Sequence, residues 1–218
     1  MNSIEESNPA GASEALAKGI STALKKGKVL WLVCGGSNIP LSVAAMDFVR
    51  SEVPFEDLER LTVALTDERY GPVGHADSNW KQLMDAGFSF PSHTIPVLTG
   101  KPLEETVTEY ARNIAQAFAD ASKVIAQFGI GADGHIAGVL PHTVGVADTH
   151  TICAYDAPPY TRITLTLSAL KKVSAAYAFV FGSSKHDMLM RLQNETVSLA
   201  DMPSQILKEL PQAYLYTD

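Results

Sequence analysis

The stretch KVLWLVCGGSN, residues 28–38, indicates the fold class of this chain. After Lys28 the first part is continuously apolar, as in a strand that is buried on both faces of a sheet. Gly35 and Gly36 then end the strand, and residues 41–50 have the composition of a helix. A strand that passes through a glycine turn into a helix is typical of a parallel sheet covered by helices.

The same alternation of strands and helices continues along the chain. Further runs predict strands at residues 61–66, 122–128, 151–155, 162–167, 175–181 and 213–216, and helices at residues 13–26, 78–86, 103–121, 184–192 and 204–210. We therefore predict an α/β fold, with a Rossmann-like, mainly parallel sheet and helices on both faces. No repeat or linker interrupts the 218 residues, so residues 1–218 are expected to form one domain.

Composition excludes several classes of protein. The chain is 46% hydrophobic and 19% charged, which is typical of a globular protein rather than a disordered one. Its net charge of -7 argues against nucleic acid as a partner, because nucleic-acid binding needs a basic face. No apolar run is long enough to span a bilayer, and residues 1–11 lack the pattern of a secretory signal. We expect a cytoplasmic protein without a membrane partner, either a monomer or a small homo-oligomer.

Four polar clusters follow predicted strands, and ligands of α/β proteins bind beyond the carboxyl ends of the strands. The first cluster consists of Gly35, Gly36, Ser37 and Asn38. Glycines let the backbone approach an anion, and the N–H groups of the next helix then point toward it. A plain glycine turn explains these residues equally well when they are taken alone.

The second cluster is DERYGP, residues 67–72, directly after the strand LTVALT. Consecutive charges at a strand end usually belong to a solvated loop. The abrupt change from an apolar strand to this cluster nevertheless favours a functional site. Asp67 and Arg69 are therefore candidate catalytic residues.

The third cluster, GIGADGHIAG at residues 129–138, is the most specific of the four. Histidine accepts a proton near neutral pH, so His135 is a candidate general base. Asp133 lies two positions earlier and can fix the tautomer of the imidazole or stabilise its charged form. A lone histidine is more often structural, but a glycine-rich loop at a strand end favours catalysis.

The fourth cluster, FGSSK, places Lys185 in the first turn of a predicted helix. A cation there opposes the helix dipole unless an anion lies nearby, although a solvated lysine is the simpler alternative. Arg162 opens the strand RITLTL and either pairs with a surface carboxylate or gives phosphate a two-pronged donor. The sequence contains neither a recognised spacing of metal ligands nor a dinucleotide fingerprint, so we expect no metal and no cofactor.

Taken together, these motifs resemble those of the 6-phosphogluconolactonase family, which shares a superfamily with the glucosamine-6-phosphate deaminases. The resemblance runs from about residue 30 to the last residue and rests on GGS, DERYGP, GIGADGHIAG, RITLT and GSSK. It implies that the substrate is 6-phospho-D-glucono-1,5-lactone, a small phosphorylated sugar lactone of the oxidative pentose phosphate pathway, and that the product is 6-phosphogluconate. The implied catalytic residues are His135, Asp133, Arg69 and Asp67, where Arg69 serves either the developing oxyanion and the sugar hydroxyls or the phosphate. The implied phosphate-binding residues are Gly35, Gly36, Ser37, Asn38, Arg162 and Lys185.

Within the superfamily, three positions of this chain are similar to the lactonases. Deaminases typically have Tyr at the position of Arg69 and Glu at the position of Leu140, and that Glu supports their histidine. Lactonases also have the arginine that corresponds to Arg162. A deaminase or isomerase that acts on an amino-sugar phosphate is the alternative, and a non-catalytic sugar-phosphate-binding protein ranks third.

Overall fold

A computed structural model of the chain describes residues 1–5, 8–91 and 93–218. The strands and helices follow each other in the order β1 (Asn2–Glu5), α1 (Pro9–Leu24), β2 (Val29–Val33), α2 (Ile39–Glu52), α3 (Phe55–Leu58), β3 (Leu61–Leu65), β4 (Asp67–Arg69), α4 (Asn79–Asp85), β5 (His93–Ile95), α5 (Leu103–Asp120), β6 (Lys123–Phe128), α6 (Val144–Ala147), β7 (Ile152–Ala157), β8 (Tyr160–Leu165), α7 (Leu167–Leu170), β9 (Ala175–Val180), α8 (His186–Asn194) and β10 (Ala213–Thr217). Within the described residues, short 3-10 helices cover Gly36–Asn38, Ser183–Lys185 and Pro203–Lys208.

The larger of two sheets has seven strands in the order β1-β10-β9-β6-β2-β3-β5, and every neighbouring pair is parallel. All five residues of β2 are buried. Successive side chains of a strand point to opposite faces, so both faces of the sheet are covered at β2. The predicted mainly parallel α/β sheet is confirmed.

A second sheet has three antiparallel strands in the order β4-β8-β7. Strands β7 and β8 correspond to the predicted strands at residues 151–155 and 162–167. A short turn at Pro158-Pro159 joins them, and strands joined in this way can only pair antiparallel. Strand β4, residues 67–69, was not predicted, because three charged residues carry no strand pattern of their own.

The helix predicted at residues 204–210 is a 3-10 helix at Pro203–Lys208 in the structure, so its position is nearly right and its bounds are shifted. Residues 203–207 are all buried, whereas a surface α-helix buries one face only. The short strands β1 and β5 at the two edges of the large sheet were not predicted either, since backbone pairing with a neighbour defines them.

The order of the large sheet determines where a site can form. From β2 the chain continues to β3 and β5 on one side, and β6, β9 and β10 lie on the other side. The strand order thus reverses between β2 and β6, and ligands of open α/β sheets bind in the crevice at such a reversal. Within the described residues, no helix is both long enough and apolar enough to cross a membrane.

Candidate active site

A cleft of about 270 Å³ lies at the carboxyl ends of the central parallel strands. Residues from all four polar clusters line it: Cys34, Gly35, Gly36, Ser37, Asp67, Arg69, Asn79, Gly129, Ile130, Gly131, His135, Ala137, Arg162 and Lys185. A larger depression of about 560 Å³ lies at the opposite ends of β2, β3 and β5 and contains none of the predicted site residues. The smaller cleft is therefore the candidate active site.

His135 is held by Asp133, which stands beside the cleft. Nδ1 of the imidazole lies 2.6 Å from Oδ1 of Asp133, and the backbone N–H of His135 donates to the same oxygen at 3.1 Å. The hydrogen bond with His135 is the main cause that lowers the pKa of Asp133. An ionised carboxylate can only accept, so a neutral imidazole in this position carries its proton on Nδ1 and can accept a proton at Nε2.

The glycine-rich sequence around this pair has a steric reason. A Cβ atom on Gly131 would lie less than 3.0 Å from Cε1 and Nδ1 of His135 and from Oδ1 of Asp133. Gly134 has φ +83, a left-handed conformation that favours glycine. The loop can therefore bring the carboxylate and the imidazole together only with glycines at these two positions.

The segment after His135 is attached to the small sheet. The N–H of Gly138 donates to Oγ1 of Thr164 at 3.0 Å, and the hydroxyl of Tyr155 donates to the carbonyl of Gly138. The N–H of Leu140 donates to the same tyrosine oxygen at 3.2 Å. These bonds keep the loop that carries the imidazole in contact with the strand that carries Arg162.

Arg69 and Arg162 are cross-strand partners in the pair β4–β8. Both line the cleft, and the Nε atoms of both are buried without a hydrogen-bond partner among the residues that the structure describes. Nη1 of Arg162 lies 3.8 Å from Oδ2 of Asp67. The other carboxylate oxygen of Asp67, Oδ1, accepts a hydrogen bond from the hydroxyl of Thr66. Like charges directly opposite each other in a sheet repel, so this pair suits a site that receives an anion.

Glu68 lies between the candidate residues Asp67 and Arg69 in the chain, but its contacts are structural. Its fully buried carboxylate accepts four hydrogen bonds, from the N–H groups of Arg69, Asn79 and Trp80 and from the hydroxyl of Ser78. Burial is the main cause that raises the pKa of Glu68, and the hydrogen bonds oppose it. The residue therefore anchors the start of α4 beneath the cleft.

Asn38 and Asn79 both differ from the sequence-based expectation. Asn38 is buried, and its Nδ2 donates to the carbonyls of Phe128 and Phe179 at 3.1 Å each, so its amide joins β6 to β9. A contact of Asn38 with phosphate would thus come from its backbone. Asn79, absent from the predicted site residues, lines the cleft and donates to the carbonyl of Asp67 at 2.9 Å. Its position in the Ser-Asn pair that opens α4 is the signal that could have identified it.

Lys185 ends the 3-10 helix before α8 and is partly buried. Burial is the main cause that lowers its pKa. Among the residues that the structure describes, no carboxylate forms an ion pair with it. A bound anion would restore the preference of this side chain for its charged form.

Comparisons with known proteins show the family of the chain. The family model described as glucosamine-6-phosphate isomerases/6-phosphogluconolactonase matches residues 5–215. The chain belongs to this family. The 6-phosphogluconolactonase of Bos taurus is 27% identical over 169 residues, which are 72% of this chain and 66% of the bovine protein.

Solved structures of the family share the fold. The 6-phosphogluconolactonase from Thermotoga maritima has a TM-score of 0.79 at 23% identity, covering 99% of this chain and 97% of that one. A monomeric glucosamine-6-phosphate deaminase has a TM-score of 0.80 at 19% identity, covering 100% and 97%. Since the fold is common to both activities, individual residues must distinguish them.

Leu140 is one of the three positions at which the sequence resembles the lactonases rather than the deaminases. It lies in the loop that follows His135, and its N–H is held by Tyr155. An alkyl side chain can neither exchange a proton nor orient an imidazole.

In the described part of the chain, no group of three or more His, Cys, Asp or Glu residues could hold a metal ion.

Proposed function

We propose that this chain hydrolyses 6-phospho-D-glucono-1,5-lactone to 6-phosphogluconate. The observation that carries the proposal is the position of His135 in the same cleft as Arg69, Arg162 and Lys185. The Nε2 atom of an imidazole whose Nδ1–H is held by a carboxylate can take a proton from water. Cations in the same cleft match the phosphate of the substrate, and Arg69 and Leu140, at two of the positions that separate the lactonases from the deaminases, favour the lactone.

In the first step, water transfers a proton to Nε2 of His135 while its oxygen attacks the lactone carbonyl carbon. The carbonyl π electrons move onto oxygen, and Asp133 stabilises the imidazolium that forms. In the second step, the tetrahedral intermediate re-forms the carbonyl and the bond to the ring oxygen breaks. That oxygen takes the proton from the imidazolium, which leaves the open-chain acid and regenerates the base.

For the phosphate end we propose three kinds of donor. The turn at Gly35, Gly36 and Ser37 supplies backbone N–H groups at the start of α2, a helix of 14 residues whose dipole favours an anion. Arg162 and Lys185 supply charge-assisted hydrogen bonds. The backbone of Asn38 belongs to the same turn and adds to this set.

Arg69 is assigned to the phosphate as well. It lies directly opposite Arg162, and a phosphate is the only part of the lactone substrate whose charge matches two guanidinium groups. Asp67 lies close to Arg162, and we assign it to holding that guanidinium rather than to proton transfer. The whole chain acts as one domain in this proposal, located in the cytoplasm, with the sugar phosphate as its partner.

One assay tests the reaction. Fresh 6-phosphogluconolactone is generated in situ, and its decay is followed with and without the protein. Faster decay with the protein supports the proposal. Release of ammonia from glucosamine 6-phosphate would instead identify the deaminase alternative. A rise in melting temperature with 6-phosphogluconate, without hydrolysis of the lactone, would identify a sugar-phosphate-binding protein.

A further inference from the structure

The guanidinium group of Arg69 rests on residues outside the cleft lining. Its Cζ atom lies 5.4 Å from the ring centroid of Tyr160, and its Nη1 donates to the carbonyl of Asp77 at 2.8 Å. The hydroxyl of Tyr160 donates to Oδ1 of Asp77 at 3.2 Å. The three residues therefore form a closed unit, in which the aromatic ring and the carbonyl hold the cation from two sides.

Arg69 needs such support because of its neighbour across the strands. Arg162 stands directly opposite, and the two positive charges repel each other. Asp67 lies 3.8 Å from Arg162 and partly offsets its charge, whereas Arg69 forms no ion pair with any residue that the structure describes. The negative face of an aromatic ring attracts a cation, so Tyr160 supplies the attraction that a carboxylate would otherwise give.

We propose that Tyr160 is a positioning residue for the phosphate of the substrate. It holds the guanidinium of Arg69 beside Arg162 before the substrate arrives. This inference rests on the proposed function, since it extends the assignment of Arg69 to the phosphate end. Ordering a donor in advance removes part of the cost of binding. Loss of the ring should therefore weaken binding and leave the proton transfer at His135 largely intact.

Two substitutions separate the ring from the hydroxyl. Tyr160→Leu removes the aromatic face and should raise both KM for the lactone and Kd for 6-phosphogluconate about fivefold, with kcat changed much less. Tyr160→Phe keeps the face and should recover most of the binding. Folding is judged by circular dichroism. If Tyr160→Leu does not fold, Tyr160→Met is used in its place, because it also removes the aromatic face.

A matched control comes from a second cation–ring contact among the described residues. Nζ of Lys172 lies 5.6 Å from the ring centroid of Phe118, and neither residue lines the cleft. Phe118→Leu removes that contact in the same way, and we expect it to leave KM and Kd unchanged. An equal loss of binding in Phe118→Leu would show that the effect of Tyr160→Leu is a general consequence of losing a ring, and would overturn the proposal.

A double-mutant cycle with Arg69→Leu decides whether Tyr160 acts through Arg69. Binding of inorganic phosphate, measured by calorimetry, needs no turnover, so the cycle remains decisive even if the wild-type chain hydrolyses no lactone. If the wild-type chain hydrolyses no lactone, the proposed function fails, but phosphate binding still tests the positioning role of Tyr160. We expect Tyr160→Leu to weaken binding in the wild-type background and to add nothing in the Arg69→Leu background. Equal losses in both backgrounds, or no loss in either, would refute the positioning role.

Discussion

His135 and Asp133 are joined through Nδ1 and Oδ1 at 2.6 Å, and the chain contains a second pair of the same form. Nδ1 of His150 lies 2.7 Å from Oδ1 of Asp148, and in both pairs the backbone N–H of the histidine donates to the same oxygen. The surroundings differ: the side chain of His135 is 32% exposed and lines the cleft, whereas that of His150 is 84% exposed and lies outside it. Local geometry is thus shared, and position in the fold distinguishes the two histidines.

This repetition provides a control for the catalytic role. His135→Ala should lower kcat for the lactone by at least about a hundredfold, because it removes the proposed general base. His150→Ala removes an imidazole with the same local hydrogen bonds and should leave kcat unchanged. Both rates are measured above the spontaneous decay of the lactone. A His135→Ala protein that is as active as wild type would exclude this residue as the base.

The hydrogen bond to His135 also predicts a pH dependence of stability. It lowers the pKa of Asp133 from its ordinary value of 3.8, so the unfolded chain takes up this proton at a higher pH than the folded chain. The carboxylate therefore stabilises the fold above about pH 4, and this contribution is lost as the pH falls through the lowered pKa. Asp133→Asn should be less stable than wild type at neutral pH, and the difference in melting temperature should shrink below about pH 4. A difference that stays constant with pH contradicts the prediction.

A substitution at Gly131 tests the packing of the loop that carries His135. A methyl group at this position would overlap the ring of His135, so the imidazole must move to make room. Gly131→Ala should fold and bind 6-phosphogluconate, but its kcat should fall about tenfold or more, because small displacements of a catalytic group are costly. Its kcat should not fall below that of His135→Ala. Loss of binding with unchanged kcat would indicate that the loop contacts the substrate rather than the base.

Lys185 should contribute to binding of the phosphate. Lys185→Ala removes a partly buried cation that forms no ion pair within the described residues, and KM should rise about tenfold, as expected for a charge-assisted hydrogen bond. The control is Lys18→Ala, whose exposed ammonium pairs with Glu14 on α1 at 2.6 Å. An unchanged KM in Lys185→Ala would remove this residue from the phosphate site.

The meeting of the four clusters could be predicted from the sequence. Strands such as β2 are apolar throughout because both faces of the sheet are covered, and this pattern is visible without coordinates. Carboxyl ends of parallel strands share one edge, so the loops that begin at Gly35, Asp67 and Gly129 were expected to converge, and they line one cleft. The glycine-rich loop around His135 could likewise be recognised from the sequence of residues 129–138 alone.

The contacts of Arg69 could not be predicted in this way. Residues 67–69 look like a charged loop, and they become a strand only because β8 offers backbone partners from a distant part of the chain. That pairing sets Arg69 opposite Arg162 and over Tyr160. The amide of Asn38 is a similar case, since its acceptors are the carbonyls of two other strands.

The amino-acid sequence by itself determined the parallel sheet, the edge at which the cleft forms and the loop that carries His135, because burial pattern and glycine sterics act over a few neighbouring residues. Only the tertiary structure decided which cations face each other, which aromatic ring supports them and which asparagine points inward. Those choices depend on hydrogen bonds between segments far apart in the chain, and such bonds leave no trace in local composition.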